Sequence, residues 1–167
     1  LKRLKSRAAR LYGIDPLWKG REKEFQDDQI TAIGGFVEDV SFRDRDIEAD
    51  MVLCSHTLEH VADPRALISR LLQQTGKETL FFFQFPGLEG LVRDAHFDQV
   101  FHQHLNYFSL QSVLHLLGEL GAELVAFGTY PYHWGTLMIA FRKGPDARSR
   151  FSSSTTPLTR DEVAGLA

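Results

Sequence analysis

"ADMVLCSHTLEHVADPRALISRL", residues 49 to 71, decides how the rest of the chain is read. The continuous apolar run "MVLCS", set off by Asp50, predicts a strand buried on both faces of a parallel sheet. Asp63 is placed to cap a helix that has Pro64 at its first position. Leu67, Ile68, Leu71 and Leu72 give that helix an apolar stripe, and Gly76 stops it. A buried strand followed by a capped amphipathic helix is half of a βαβ unit. In sheets built from such units, ligands lie beyond the carboxyl ends of the strands. Ser55 and His56 leave the sheet at such a point.

Upstream, residues 1 to 10 read as a helix with Leu1, Leu4 and Ala8 on one side. "RLYGID" reads as a short strand, "LWKGREKEFQDD" as a helix and "ITAIGGF" (30 to 36) as a second strand. Downstream, "ETLFFFQF" (78 to 85) is a buried strand. Ser109 caps a helix that carries Leu110, Val113, Leu114 and Leu117 on one side and ends at Gly121. "AELVAFGTY" and "TLMIAFRK" follow with only the turn "PYHWG" between them, so they read as an antiparallel hairpin at one edge of the sheet. The fold class is α/β, a doubly wound and mostly parallel sheet. One domain spans 1–144, and 145–167 is a polar, Ser- and Thr-rich linker entering a further helix.

Composition narrows the function classes. The 167 residues include 19 basic and 22 acidic side chains, so there is no basic excess to suit a nucleic-acid partner. The basic residues concentrated in "LKRLKSRAAR" read as a solvated helix face. The apolar runs are too short for a bilayer span, and the N-terminus lacks the apolar core of a signal peptide. The single cysteine, Cys54, cannot form a disulfide within the chain, which fits a cytoplasmic setting.

The residues after each strand are candidates for chemistry. Asp15 can accept hydrogen bonds from ribose hydroxyls, or cap the next helix. Phe36 and Val37 can sandwich an adenine ring, or fill core. His56, Glu59 and His60 follow the inverted zinc-protease order, His-x-x-Glu-His. That site needs a helix through both histidines, whereas this segment sits between a strand and the Asp63 cap, so no metal is expected. "HFDQVFHQHLNYFS", residues 96 to 109, sets three histidines among aromatic residues at the ligand edge of the sheet.

Together these residues resemble a class I S-adenosylmethionine-dependent methyltransferase, which implies a Rossmann-like fold and S-adenosyl-L-methionine as cofactor. "YGIDP" resembles the family's ribose-binding motif, "GGFVEDV" its adenine-side motif, and residues 49–71 its fourth-strand signature. "FDQVFHQHLNYFSLQSVLHLLGELGAELV" with "YPYHWGTLMIAFRK" is similar to the branch that includes sugar C-methyltransferases. The resemblance implies that Asp15, Phe36, Val37, Ser55 and His56 contact the cofactor. It also implies that His104 is the general base, and that His102, Gln103 and Tyr107 orient a small-molecule acceptor, a sugar or another secondary metabolite. Gln103 stands where the family has glutamate and Phe101 where it often has tyrosine. No glycine-rich loop precedes "RLYGIDP", so the chain is expected to be an N-terminally truncated piece or a degenerate relative. Two other functions compete: an inactive binding or scaffold module, and a metalloenzyme using His96, His102, His104 and His133.

Overall fold

The computed structural model describes residues 1–131, 133 and 135–144. The linker and helix expected at 145–167 lie outside the described residues. The chain divides into two compact units, Leu1–Asp46 and the remainder from Ile47.

The first unit is built on two parallel strands, β1 (Leu11–Ile14) and β2 (Ile30–Ile33), with Leu11 opposite Ile30 and Ile14 opposite Ile33. Neither helix expected here forms. Residues 1 to 10 contain a single 3-10 turn, Lys2–Leu4. Lys2, Arg3, Lys5, Arg7 and Arg10 repel one another along so short a segment, and nothing offsets the cost of nucleating a helix. "LWKGREKEFQDD" divides into 3-10 turns at Pro16–Trp18 and Glu22–Glu24, separated by Gly20 at φ +80°. Trp18 and Phe25 stack across that break, with ring centres 5.0 Å apart. β2 stops earlier than the sequence suggests. A Cβ at Gly34 would lie 2.4 Å from the Lys19 Cα, so only glycine fits where the chain leaves the strand.

The second unit is a four-stranded sheet in the order β3-β4-β6-β5, comprising β3 (Met51–Ser55), β4 (Leu80–Pro86), β5 (Ala122–Tyr130) and β6 (Thr136–Lys143). β3 and β4 are parallel, and β6 runs against both of its neighbours, so three of the four strands point one way. This is the mixed, mostly parallel sheet with an edge hairpin that the sequence predicts. α1 (Pro64–Gln74) connects β3 to β4, and α3 (Leu110–Glu119) leads into β5. Both caps form as expected. Asp63 Oδ1 accepts the Ala66 amide at 2.8 Å, and Ser109 and Ser112 make a reciprocal capping box.

The core lies against one face of the sheet. Phe81, Phe83, Phe85 and Phe141 are fully buried, and Phe141 stacks on Phe81 with ring centres 4.9 Å apart. Leu67, Ile68, Leu71 and Leu72 of α1 and Val113, Leu114 and Leu117 of α3 are also buried. β3 departs from expectation. It is not buried on both faces: among the described residues it pairs with β4 alone, and Met51 and Leu53 on one of its faces are 53% and 50% exposed.

α2 (Leu88–Arg93) has no counterpart in the sequence reading. Its backbone comes close to the β5–β6 turn. A Cβ on Gly135, which has φ +82°, would sit 3.0 Å from the Gly90 Cα. Glycine at both positions allows that approach.

Candidate active site

The site grows from the end of β3. Beyond Ser55 the ladder gains one more bond, from the His56 amide to the Gln84 carbonyl at 2.9 Å. His56 then takes a left-handed conformation, φ 46°, which costs a non-glycine residue strain and turns the chain out of the strand. A single 3-10 turn, Leu58–His60, follows. Within it Leu58 and Glu59 are buried while His60 is exposed. No helix runs through both His56 and His60, so the inverted zinc-protease arrangement does not form.

The loop between α2 and α3 closes over this turn. The amides of Leu105 and Asn106 both donate to the Glu59 carbonyl, at 2.8 and 3.1 Å. The Asn106 side chain donates to the Val61 carbonyl at 2.6 Å. At its far end the loop is fixed by the Leu88 amide on the Phe108 carbonyl, 2.9 Å. Two segments distant in sequence thereby become one framework of main-chain bonds.

Two imidazoles are oriented by this framework. His60 Nδ1 lies 2.8 Å from the Gln103 carbonyl, and His104 Nδ1 lies 3.0 Å from the Gln99 carbonyl. A carbonyl oxygen only accepts, so each ring carries a hydrogen on Nδ1, and the neutral ring presents Nε2 as a lone pair. The two rings are 5.0 Å apart between centres. Phe101 covers His104 at 4.2 Å, and Tyr107 stands edge-on at 6.4 Å. Glu59, 2% exposed, reaches toward the same place. Its Oε1 is 3.4 Å from His56 Nδ1 and 4.0 Å from His60 Nε2. Its Oε2 is buried and has no hydrogen-bond partner among the described residues. An atom in that position costs about 1–3 kcal/mol unless a proton, water or cation meets it.

Of the residues singled out in the sequence, His104, Tyr107 and His56 fall in or beside this cluster. His133 packs against His56 with the rings tilted by 52° and their centres 5.2 Å apart. Gln103 and His102 are exposed, and what Gln103 gives the cluster is its main-chain carbonyl. Ser55 accepts a bond from the Gln84 side chain. His96 lies beside the Asp98 carboxylate, 4.0 Å away. In the first unit, Asp15 ends β1 and its Oδ1 accepts the Leu17 amide at 2.8 Å, which is the capping role. Phe36 is 60% exposed beyond β2, and Val37 opens the next 3-10 turn. Glu59, His60, Gln99 and Asn106 were not assigned site roles from the sequence. The signal available for the first two was their place in the His-x-x-Glu-His run.

Comparison with known proteins agrees with this architecture. The C-methyltransferase NovU of Streptomyces niveus is 29% identical over 91 residues, covering 54% of this chain and 22% of that protein. The chain thus matches under a quarter of that relative's length. The magnesium protoporphyrin IX methyltransferase ChlM of Synechocystis PCC 6803 superposes with a TM-score of 0.61 at 17% identity, over 85% of this chain and 68% of that one. The N-methyltransferase NodS of Bradyrhizobium japonicum WM9 does so with 0.61 at 17% identity, over 85% and 78%. A methyltransferase-domain profile matches residues 1–126, most of the described fold and every residue of the cluster above except His133. By that match the chain belongs to the methyltransferase domain family.

Proposed function

We propose that this chain carries out S-adenosylmethionine-dependent methyl transfer to carbon of a small-molecule acceptor, with His104 as general base. Family membership supports the reaction class, and the similarity to a C-methyltransferase supports carbon as the site of attack. The observation that carries the base role is the His104 Nδ1–Gln99 bond, which leaves Nε2 as the nitrogen able to accept a proton.

S-adenosylmethionine, when bound, supplies an electrophilic methyl group. The chain's residues fit it in kind: a carboxylate at Asp15 for ribose hydroxyls, an exposed aromatic ring at Phe36 with Val37 for adenine, and Ser55 and His56 at the end of β3. These five are the proposed cofactor contacts.

Methyl transfer to carbon needs a proton removed beside a carbonyl. His104 Nε2 takes that proton. With the cofactor bound, the electron pair left on the acceptor carbon would be the nucleophile toward its methyl group. Phe101 and Tyr107 limit water around the ring and help keep it in the orientation that Gln99 sets. His102 and Gln103 are exposed on the same loop, where they can contact the acceptor. On this reading the change from glutamate to glutamine at 103 leaves the base intact, because a main-chain carbonyl orients the imidazole.

The test uses methyl-labelled cofactor and a panel of keto-sugar acceptors. His104→Ala is expected to lower turnover about 10²–10⁴-fold while S-adenosylhomocysteine affinity, measured by calorimetry, stays unchanged. Full turnover in the variant overturns the base role. Failure of the unaltered chain to bind S-adenosylhomocysteine overturns the cofactor reading.

A further inference from the structure

We propose that Glu59, His60 and His104 form a binding site for a divalent transition metal ion, of which zinc is the best fit, and that the bound ion switches the base off. Each of the three offers one ligand atom, and these atoms lie within 4.8 Å of one another. The site departs from both metal arrangements suggested by the sequence. It uses one histidine of the His-x-x-Glu-His run and takes its second from the loop that closes over that run.

Three features support a cation here. Glu59 places a carboxylate at 3% side-chain exposure, with Oε2 lacking any hydrogen-bond partner among the described residues. A metal ion satisfies that oxygen without a further donor. Both imidazoles donate Nδ1–H to a main-chain carbonyl, His60 to Gln103 and His104 to Gln99. That outer bond is what fixes the ring and raises the basicity of Nε2 in metal-ligating histidines. The donor set is two imidazole nitrogens and one carboxylate, which suits zinc and its transition-metal neighbours and disfavours magnesium and calcium. Three protein ligands also leave a fourth position open, for water or another ligand.

Tetrahedral zinc wants ligand atoms about 3.4 Å apart, so the three groups must draw together by roughly 1 Å. His60, with a side chain 41% exposed, has room to move. The ion would hold the lone pair of His104 Nε2, which is the atom the proposed base uses, so zinc and proton transfer exclude one another. This inhibition rests on the base reading; the binding does not.

The experiment takes the full chain without an affinity tag, strips it with a chelator, and titrates it with zinc chloride by calorimetry. Cobalt(II) absorption reports the coordination geometry. The expected result is about one equivalent bound, with affinity weakened at least tenfold in His60→Ala and again in His104→Ala, and unchanged in His96→Ala and His115→Ala. Zinc should also raise the melting temperature of the unaltered chain but not of His60→Ala. His60→Ala is the decisive variant because that side chain is exposed and its loss leaves the core intact, which circular dichroism checks. Binding below about a tenth of an equivalent, or affinity in either His60→Ala or His104→Ala equal to that of the unaltered chain, overturns the site. The titration contains no cofactor. A chain that binds S-adenosylhomocysteine but no zinc therefore refutes the metal site alone, and one that binds zinc but transfers no methyl group after the zinc is stripped with a chelator refutes the proposed function alone.

Discussion

Asn106 ties the loop bearing His104 to the turn bearing Glu59, through its side-chain bond to the Val61 carbonyl. Removing one partner of such a bond costs about 1–3 kcal/mol when the other is buried, and Val61 is 6% exposed. Asn106→Ala is expected to lower the unfolding free energy by that amount, measured by urea denaturation. Turnover should fall more than the stability loss explains, since the loop then holds His104 less firmly; unchanged turnover in the folded variant refutes the tie. None of this is visible in residue order. Asn106 and Val61 are far apart in sequence, and asparagine in "HLNYFS" looks like any polar loop residue. His104 was legible because its neighbours form a motif. The contribution of Gln103 was not, because it comes from the main chain, which every residue type shares.

At the scale of elements, the helices that formed as expected are those with explicit ends. α1 has Asp63 and Pro64, and α3 has the Ser109–Ser112 box and Gly121 at φ +66°. Each cap is worth about 1 kcal/mol. Asp63→Ala and Ser109→Ala are therefore each expected to lower unfolding free energy by about 1 kcal/mol, and together by about 2, since they cap different helices. Chemical denaturation followed by circular dichroism checks both, and a loss below about 0.3 kcal/mol would show the caps to be idle. Segments that failed to become helices carry basic side chains or an interrupting glycine and lack a capped amphipathic stripe. α2 failed to be read for the opposite reason. Gly90 within it argues against a helix locally, yet glycine is needed there where the β5–β6 turn approaches, so packing overrides propensity.

Across the molecule, the two units differ in how much they bury. The second has a core of phenylalanines on β4 and β6 that are fully enclosed. The first has two short strands and 3-10 turns around Ile30, Ala32 and Ile33. Hydrogen exchange should follow this, with amides of Phe81, Phe83 and Phe141 protected longest and those of Leu11–Ile14 exchanging sooner. Equal protection in the two strand sets would argue for a single cooperative unit. The order of strands and helices was legible because apolar runs and caps are local. The exposed face of β3 was not, because "MVLCS" has the same composition whether or not a further element covers it. That face has a practical consequence. β3 pairs with β4 and, among the described residues, with no other strand, and it shows Met51 and Leu53 to solvent. A greasy face on a strand with one neighbour among the described residues favours lateral pairing, so crowding promotes self-association along this side.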